Sequence, residues 1–488
     1  MSGPAAGPQP GPPKPLRRLR LQRLQRVLRL RCARAHAQAQ RLRVAAAQHW
    51  SWLQALGLPW LDRAVVLVFA ALTGLLVVGF TALTEAATAA HRALFHSHPW
   101  APLALLLLAP VLTVGLLLWV RRFAPGALGS GVPQVMRAVD AELAPEQRRW
   151  LVSPRLALHK IALVSGGLLA GLSIGREGPT VQVGASVMVG ARRWLSPAST
   201  IDEHDLMVAG AAAGIAAAFN TPLGGIVFGL EQLTRRRGIA HSTLVISAIV
   251  LAGLVAIAFF GNNSYFGRLR VQQLSMDLFL PGLLVALASG LLGGLFARLM
   301  VASVQGLPDR LSRWRRAHPL RFGAGCAVAV ALIGWVSGAQ TAGAGYAPTR
   351  ALLEGEGELG PVYTLLKFCA TWLSAWTGVP AGTFAPSLAI GAGIGNDVAQ
   401  LMQLGREAAI PLIALGMVGF LAATTQAPIT AFIIVMEMVS GHTMVLSLMA
   451  CAMVSAGVAR LIAPPMYESL AALLPLPAAA EKRTDSAS

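Results

Sequence analysis

Ile174-Gly175-Arg176-Glu177-Gly178-Pro179-Thr180 decides how this 488-residue chain is read. A carboxylate stands there between an apolar run ending at Ile174 and a second run reaching Gly190. At the centre of a lipid-spanning helix such a side chain costs roughly 2.5–3.5 kcal/mol even on lenient insertion scales, so it normally lines a water-filled cavity and carries function. The glycines and the proline interrupt the helix and leave backbone N–H groups without intrahelical acceptors. Free N–H groups beside a titratable carboxylate point to an anion site for which that carboxylate competes.

The surrounding sequence puts this break in a membrane. The chain is 55% hydrophobic and only 12% charged, with a mean hydropathy of +0.61, where soluble proteins carry about 25% charged residues. Runs of spanning length include Ala64–Leu83, Ala101–Val120, Thr243–Phe260 and Phe279–Val301. The apolar character is nearly continuous from Ala64 to Pro475. One all-α integral membrane domain is expected, not a string of soluble ones.

The net charge of +19 is concentrated. Eleven Lys or Arg and no acidic residue fall between Lys14 and Arg43, with Arg17, Arg20, Arg23, Arg26 and Arg29 spaced by three among leucines. That pattern predicts a basic amphipathic helix on anionic lipid, on the cytoplasmic side by the positive-inside rule. Nucleic acid is a poorer partner, since no aromatics interleave with the arginines. No apolar core of signal-peptide length precedes Ala64, and the Pro/Gly-rich first dozen residues read as disordered.

Arg148–Arg149, Arg235–Arg237 and the cluster Arg310, Arg313, Arg315 and Arg316 are expected on that same side, with Glu354, Glu356 and Glu358 opposite. Cys32, Cys326, Cys369 and Cys451 lack paired or metal-type spacing and read as small apolar-like side chains. Asn262-Asn263-Ser264 matches a glycosylation acceptor by spelling only. His159 and His204 are isolated, so no metal or cofactor is expected.

The chain also resembles itself. Gly175 and Pro179 recur as Gly382 and Pro386 at an offset of 207 (382 − 175), and Gly184-Ala185 recurs as Gly391-Ala392. Asn220-Thr221-Pro222-Leu223 through Glu231 recurs as Gln426-Ala427-Pro428-Ile429 through Glu437 at an offset of 206 (428 − 222). Two related halves with interrupted helices place a substrate site where half-helices meet near the bilayer midplane. Their N-termini carry partial positive charge and hold an anion without a full cation. Whether the repeats run parallel or inverted is open at this level.

A third glycine break, Gly129-Ser130-Gly131-Val132-Pro133, follows Val120 and a short basic turn. With Gly175-Arg176-Glu177-Gly178-Pro179, Gly382-Thr383-Phe384-Ala385-Pro386 and the late Tyr467, it resembles the signature set of the CLC chloride channels and chloride/proton exchangers. The resemblance runs from about Ala64 to Leu474. It implies an inverted two-repeat bundle of many tilted and broken helices, working as a homodimer with one pathway per subunit. It further implies chloride held by the hydroxyls of Ser130 and Tyr467 and the amides of Thr383 and Phe384. Glu177 would be the gating glutamate, with the amides of Arg176 and Gly178 at an outer anion site and Lys160 adding positive potential. Serine at the Ser130 position accompanies chloride preference in that family, and proline accompanies nitrate preference.

There is one departure. Family exchangers carry an inner glutamate for the proton path where this chain has Gln232, preceded by Glu231. An amide does not exchange a proton near neutral pH. The expectation is therefore chloride transport with weak or absent proton coupling; the alternative is a fully coupled chloride/proton antiporter. Glu231 itself reads as a helix-end carboxylate paired with Arg235 at i+4. A distant alternative makes Ser130 the nucleophile of an intramembrane enzyme, which needs a base within hydrogen-bond reach; no His stands in an obvious helical partner position.

The expected organisation is a basic cytoplasmic segment over residues 1–50 and a membrane domain over 51–475, with halves near 51–260 and 270–475. A short cytoplasmic tail would follow over 476–488. So little chain past Tyr467 leaves no room for a large regulatory domain, and the expectation is a short bacterial form in the inner membrane.

Overall fold

The computed structural model describes residues 59–140, 142–234, 242–261, 266, 276–306, 309–357, 359–360 and 362–477. The arginine-rich N-terminal segment, Arg235–Arg237, Asn262–Ser264, Glu358, Cys32 and residues 478–488 lie outside them. The chain divides into two compact units. Of one, the described residues are Pro59 and Leu195–Ser199, the latter a turn in which the Ser199 N–H donates to Ser196 C=O at 3.0 Å. The other takes Trp60–Trp194 and Thr200–Ser488.

Among the described residues, that larger unit is built of helices joined by turns and loops. Its first half runs α1 (Pro59–His96), α2 (Ala101–Phe123), α3 (Val132–Ala138), α4 (Pro145–Leu151), α5 (Pro154–Leu169), α6 (Glu177–Val189), α7 (Glu203–Phe219), α8 (Pro222–Phe228) and α9 (Ser242–Phe260). The second runs α10 (Phe279–Gln305), α11 (Arg310–Ala317), α12 (Pro319–Val336), α13 (Tyr346–Glu354), α14 (Tyr363–Trp376), α15 (Phe384–Leu401), α16 (Arg406–Thr425), α17 (Pro428–Met438) and α18 (Val445–Arg460), closed by α19 (Met466–Ala472). Among the described residues, α1, α2, α9, α10, α12, α16 and α18 are long and apolar enough to cross a bilayer. This is an all-α, multi-pass membrane fold.

Burial follows the lipid solvent. Large apolar side chains point outward from α2 and α10, among them Leu107, Val111 and Leu291, whereas α6, α7 and α15 are buried over most of their length. Breaks fall where the sequence forces them. Helices α7 and α16 end on left-handed residues, Asn220 at φ 57° and Gln426 at φ 52°, and Pro222 and Pro428 then open the next helix. Asparagine, with its short polar side chain, tolerates that conformation better than most residues.

The halves are inverted. Gly175 and Gly382 form an antiparallel bridge, the Gly175 N–H donating to Gly382 C=O at 2.7 Å. A side chain at Gly382 would sit 2.5 Å from the Gly175 carbonyl oxygen, so glycine is required. Near the other helix breaks, Glu231 accepts from the N–H groups of Ile429 (3.3 Å) and Thr430 (2.7 Å) at the start of α17. Glu437 returns the arrangement, accepting from Leu223 (3.2 Å) and Gly224 (2.7 Å) at the start of α8. Each half-helix thus ends in the carboxylate that satisfies its partner's open N-terminus.

Candidate functional site

Helices α6 and α15 begin at the two glycine breaks, so the backbone N–H groups of Glu177, Gly178, Phe384 and Ala385 precede the first helical hydrogen bonds, Thr180 N–H to Arg176 C=O and Ser387 N–H to Thr383 C=O. The bridge between Gly175 and Gly382 holds these two N-termini together. Prolines 179 and 386 fall inside the first turns, where a missing N–H costs no helical bond.

The Ser130 loop closes the site from a third direction. Gly129 and Gly131 adopt φ 81° and 113°, which a serine between them can span only with glycine on either side. Lys160, fully buried, donates to Ala127 C=O at 2.8 Å and Gly129 C=O at 2.7 Å. Its ammonium is thus directed at the loop carbonyls and fixes the loop. Gln182 donates to Gly126 C=O and Leu151 C=O, and the Gln134 carbonyl takes the Gly131 N–H at 2.8 Å. Ser130 therefore rests against Gly178, where any side chain would strike its hydroxyl.

Tyr467, at the start of α19, is buried, with its hydroxyl 3.4 Å from Thr383 Oγ1 and facing Ser130. Phe384 packs on Phe219, ring centroids 5.3 Å apart. The Ser130 hydroxyl is buried and forms no ordinary hydrogen bond among the described residues. Buried polar groups are nearly always satisfied, and the polar side chain beside this hydroxyl is that of Tyr467.

Glu177 is fully buried. Its Oε1 accepts from the Tyr346 hydroxyl and lies 3.8 Å from Arg176 Nε. The carboxylate also faces the Ala385 amide, and Oε2 makes no hydrogen bond among the described residues. Arg176 is itself occupied, contacting Glu85 at 3.1 Å and Thr84 at 3.2 Å. Of the residues named from sequence, Ser130, Lys160, Arg176, Glu177, Gly178, Thr383, Phe384 and Tyr467 are thus brought together.

Gln232 and Glu231 lie elsewhere. The helix after Pro222 widens into a π turn over Gly229–Leu233. Gln232 is buried there, its amide 3.5 Å from Thr425 C=O. Glu231 is taken up by the α17 amides, while Arg235 falls outside the described residues. His204 sits with Asp202 and Asp205 close enough to share an ion, a grouping its spacing did not announce. Asp202 already caps α7 through the Asp205 N–H at 2.8 Å, so helix capping accounts for its place.

Sequence reasoning missed Tyr346 and Lys367. Lys367 stands 207 residues after Lys160 (367 − 160), so the repeat offset would have found it. Tyr346 follows a second glycine pair, Gly343 and Gly345.

Comparison with known proteins bears on the family and the fold. Residues 111–460 match the family described as "Voltage gated chloride channel". The chain is 31% identical over 430 residues to the H(+)/Cl(-) exchange transporter ClcA of Cronobacter sakazakii, covering 83% of this chain and 89% of that one. Against the Citrobacter koseri protein of that name, identity is 30% over 354 residues, 71% and 73% of the two chains. The solved structure of a slow cyanobacterial Cl-/H+ antiporter superposes with a TM-score of 0.72 at 24% identity, over 84% of this chain and 97% of that one. A CLC-type fluoride/proton antiporter gives 0.69 at 21%, again over 84% and 97%.

Proposed function

The chain belongs to the voltage-gated chloride channel family, and from that premise we propose that it moves chloride through a Glu177-gated pathway with weak or no proton coupling. The observation that carries this reading is the meeting of two broken-helix N-termini, α6 and α15, with the hydroxyls of Ser130 and Tyr467 beside one buried carboxylate. Chloride is weakly basic, and fast conduction needs several modest donors rather than one strong cation. Helix N-termini supply about half a positive charge each, and hydroxyls add direction. A carboxylate carries the same charge as the ion and competes for those donors. Protonation, or displacement by chloride, clears the way.

Coupling turns on the inner position. Gln232 offers an amide where a proton carrier is needed, and Glu231 is engaged by two backbone amides. The coupled reading draws its support from the relatives named as proton/chloride exchange transporters. Purified protein in liposomes decides between them. A chloride gradient should drive chloride flux with little accompanying proton movement. Sustained uphill proton pumping would favour the antiporter, and no chloride flux from well-folded protein would remove the proposal.

The working form on this reading is a homodimer in a bacterial inner membrane with a cytoplasmic N-terminus. Its arginine-rich segment faces anionic lipid, which the charge distribution supports. Cross-linking in native membranes should trap pairs; monomers alone would remove the dimer.

A further inference from the structure

Tyr346 opens α13 at the floor of a cavity of about 420 Å³ whose lining includes Glu85, Arg92, Arg176, Gly345 and Arg350. Glu177 does not line that cavity; Tyr346 and Arg176 stand between it and the carboxylate. The tyrosine ring is fixed from two sides. The Arg176 guanidinium carbon lies 5.2 Å from the ring centroid, and the Phe266 ring lies 5.8 Å away. Phe266 is buried and tied down through its N–H to Met438 C=O at 3.0 Å.

The repeat explains the loop that carries Tyr346 but not its hydroxyl: the counterpart of Ser130 is Ala344, between Gly343 and Gly345, and Tyr346 is the residue that follows. Gly343 and Gly345 adopt φ 70° and 89°, matching Gly129 and Gly131 in the first half. Below them the fully buried Lys367 donates to Gly343 C=O at 2.7 Å and Thr341 C=O at 2.9 Å, as Lys160 does beneath the Ser130 loop. One lysine-braced glycine loop presents Ser130 to the inside of the pathway. Its inverted counterpart presents Tyr346 from the cavity side.

We propose that Tyr346 is a positioning residue of the transport cycle: its hydroxyl donates to the Glu177 carboxylate and holds it in the blocking position. The inference rests on Glu177 being the gate and adds what latches it. Other ionisable groups facing Glu177 are Arg176 on its own break and Tyr467 from α19, with Glu85 of α1 acting through Arg176. Helix α15 contributes the Ala385 amide. Of these, Tyr346 is the partner that donates to Oε1 from the cavity side.

Tyr346→Phe keeps the ring between Arg176 and Phe266 and removes the hydroxyl alone. The bond favours the ionised, blocking carboxylate, so its loss makes the protonated, withdrawn state easier to reach. Chloride flux into liposomes should then switch on at higher pH, the midpoint moving up by about one unit, as expected for one charge-assisted hydrogen bond. In a Glu177→Gln background the same substitution should change nothing. Wild-type flux with an unshifted Tyr346→Phe profile would overturn the latch and leave Glu177 as the gate. An equal change in both backgrounds would also overturn it, because the effect would then bypass Glu177. Absence of wild-type chloride flux would instead strike the transport reading itself.

Discussion

Glu177 and Ser130 carry opposite kinds of information at the residue scale. On the proposed gate Glu177 is the movable element, so replacing it with glutamine should fix the pathway in its protonated-like form. Flux through Glu177→Gln should stay level to within about twofold between about pH 4 and about pH 8, since the amide has no proton to lose. A surviving pH dependence of wild-type size would contradict the gate. Ser130 is the fixed element, a hydroxyl presented by a braced loop. Ser130→Pro removes that donor and, on the family resemblance, should raise nitrate preference over chloride severalfold; unchanged reversal potentials would count against its role. Glu177 stood out in sequence because a carboxylate inside an apolar run is rare, whereas Gly-Ser-Gly alone reads as a loop and Ser130 was named only through the resemblance of the three glycine breaks. Tyr346 was not, because a tyrosine at the head of a helix has many ordinary explanations, and its contact with Glu177 joins positions far apart in the chain.

The element scale is governed by what interrupts the helices. Gly382 approaches the Gly175 carbonyl so closely that Gly382→Ala must push the two N-termini apart. Overpacking of this kind costs roughly 1–3 kcal/mol, and chloride flux should fall well beyond that loss of stability, because the donors would no longer converge. Thermal melting and flux measured on the same preparation check this. Glu437→Ala should leave the Leu223 and Gly224 amides without their acceptor. The expected loss is about 1–3 kcal/mol in detergent, and an unchanged melting temperature would refute the capping role. The sequence announced these breaks through Gly and Pro. It did not announce that Glu231 reaches the opposite half-helix, because i+4 spacing to Arg235 offered a nearer partner.

Hydropathy alone located the membrane domain at the scale of the whole molecule. The expected runs at Ala64–Leu83, Ala101–Val120, Thr243–Phe260 and Phe279–Val301 all lie within spanning helices. The repeat offset paired Gly175 with Gly382 and Glu231 with Glu437, and the contacts across the halves are made at those positions. Shared Gly, Pro and Glu spacing reads the same whether two copies run parallel or inverted. The crossed capping by Glu231 and Glu437 has a consequence for biogenesis. A ribosome that has delivered only the N-terminal portion leaves the Leu223 and Gly224 amides without the acceptor they have in the complete chain, and a donor unmet away from water costs several kcal/mol. The start of α8 is therefore expected to be held less firmly until Glu437 has been translated, which limited proteolysis of the N-terminal half beside the whole chain would check.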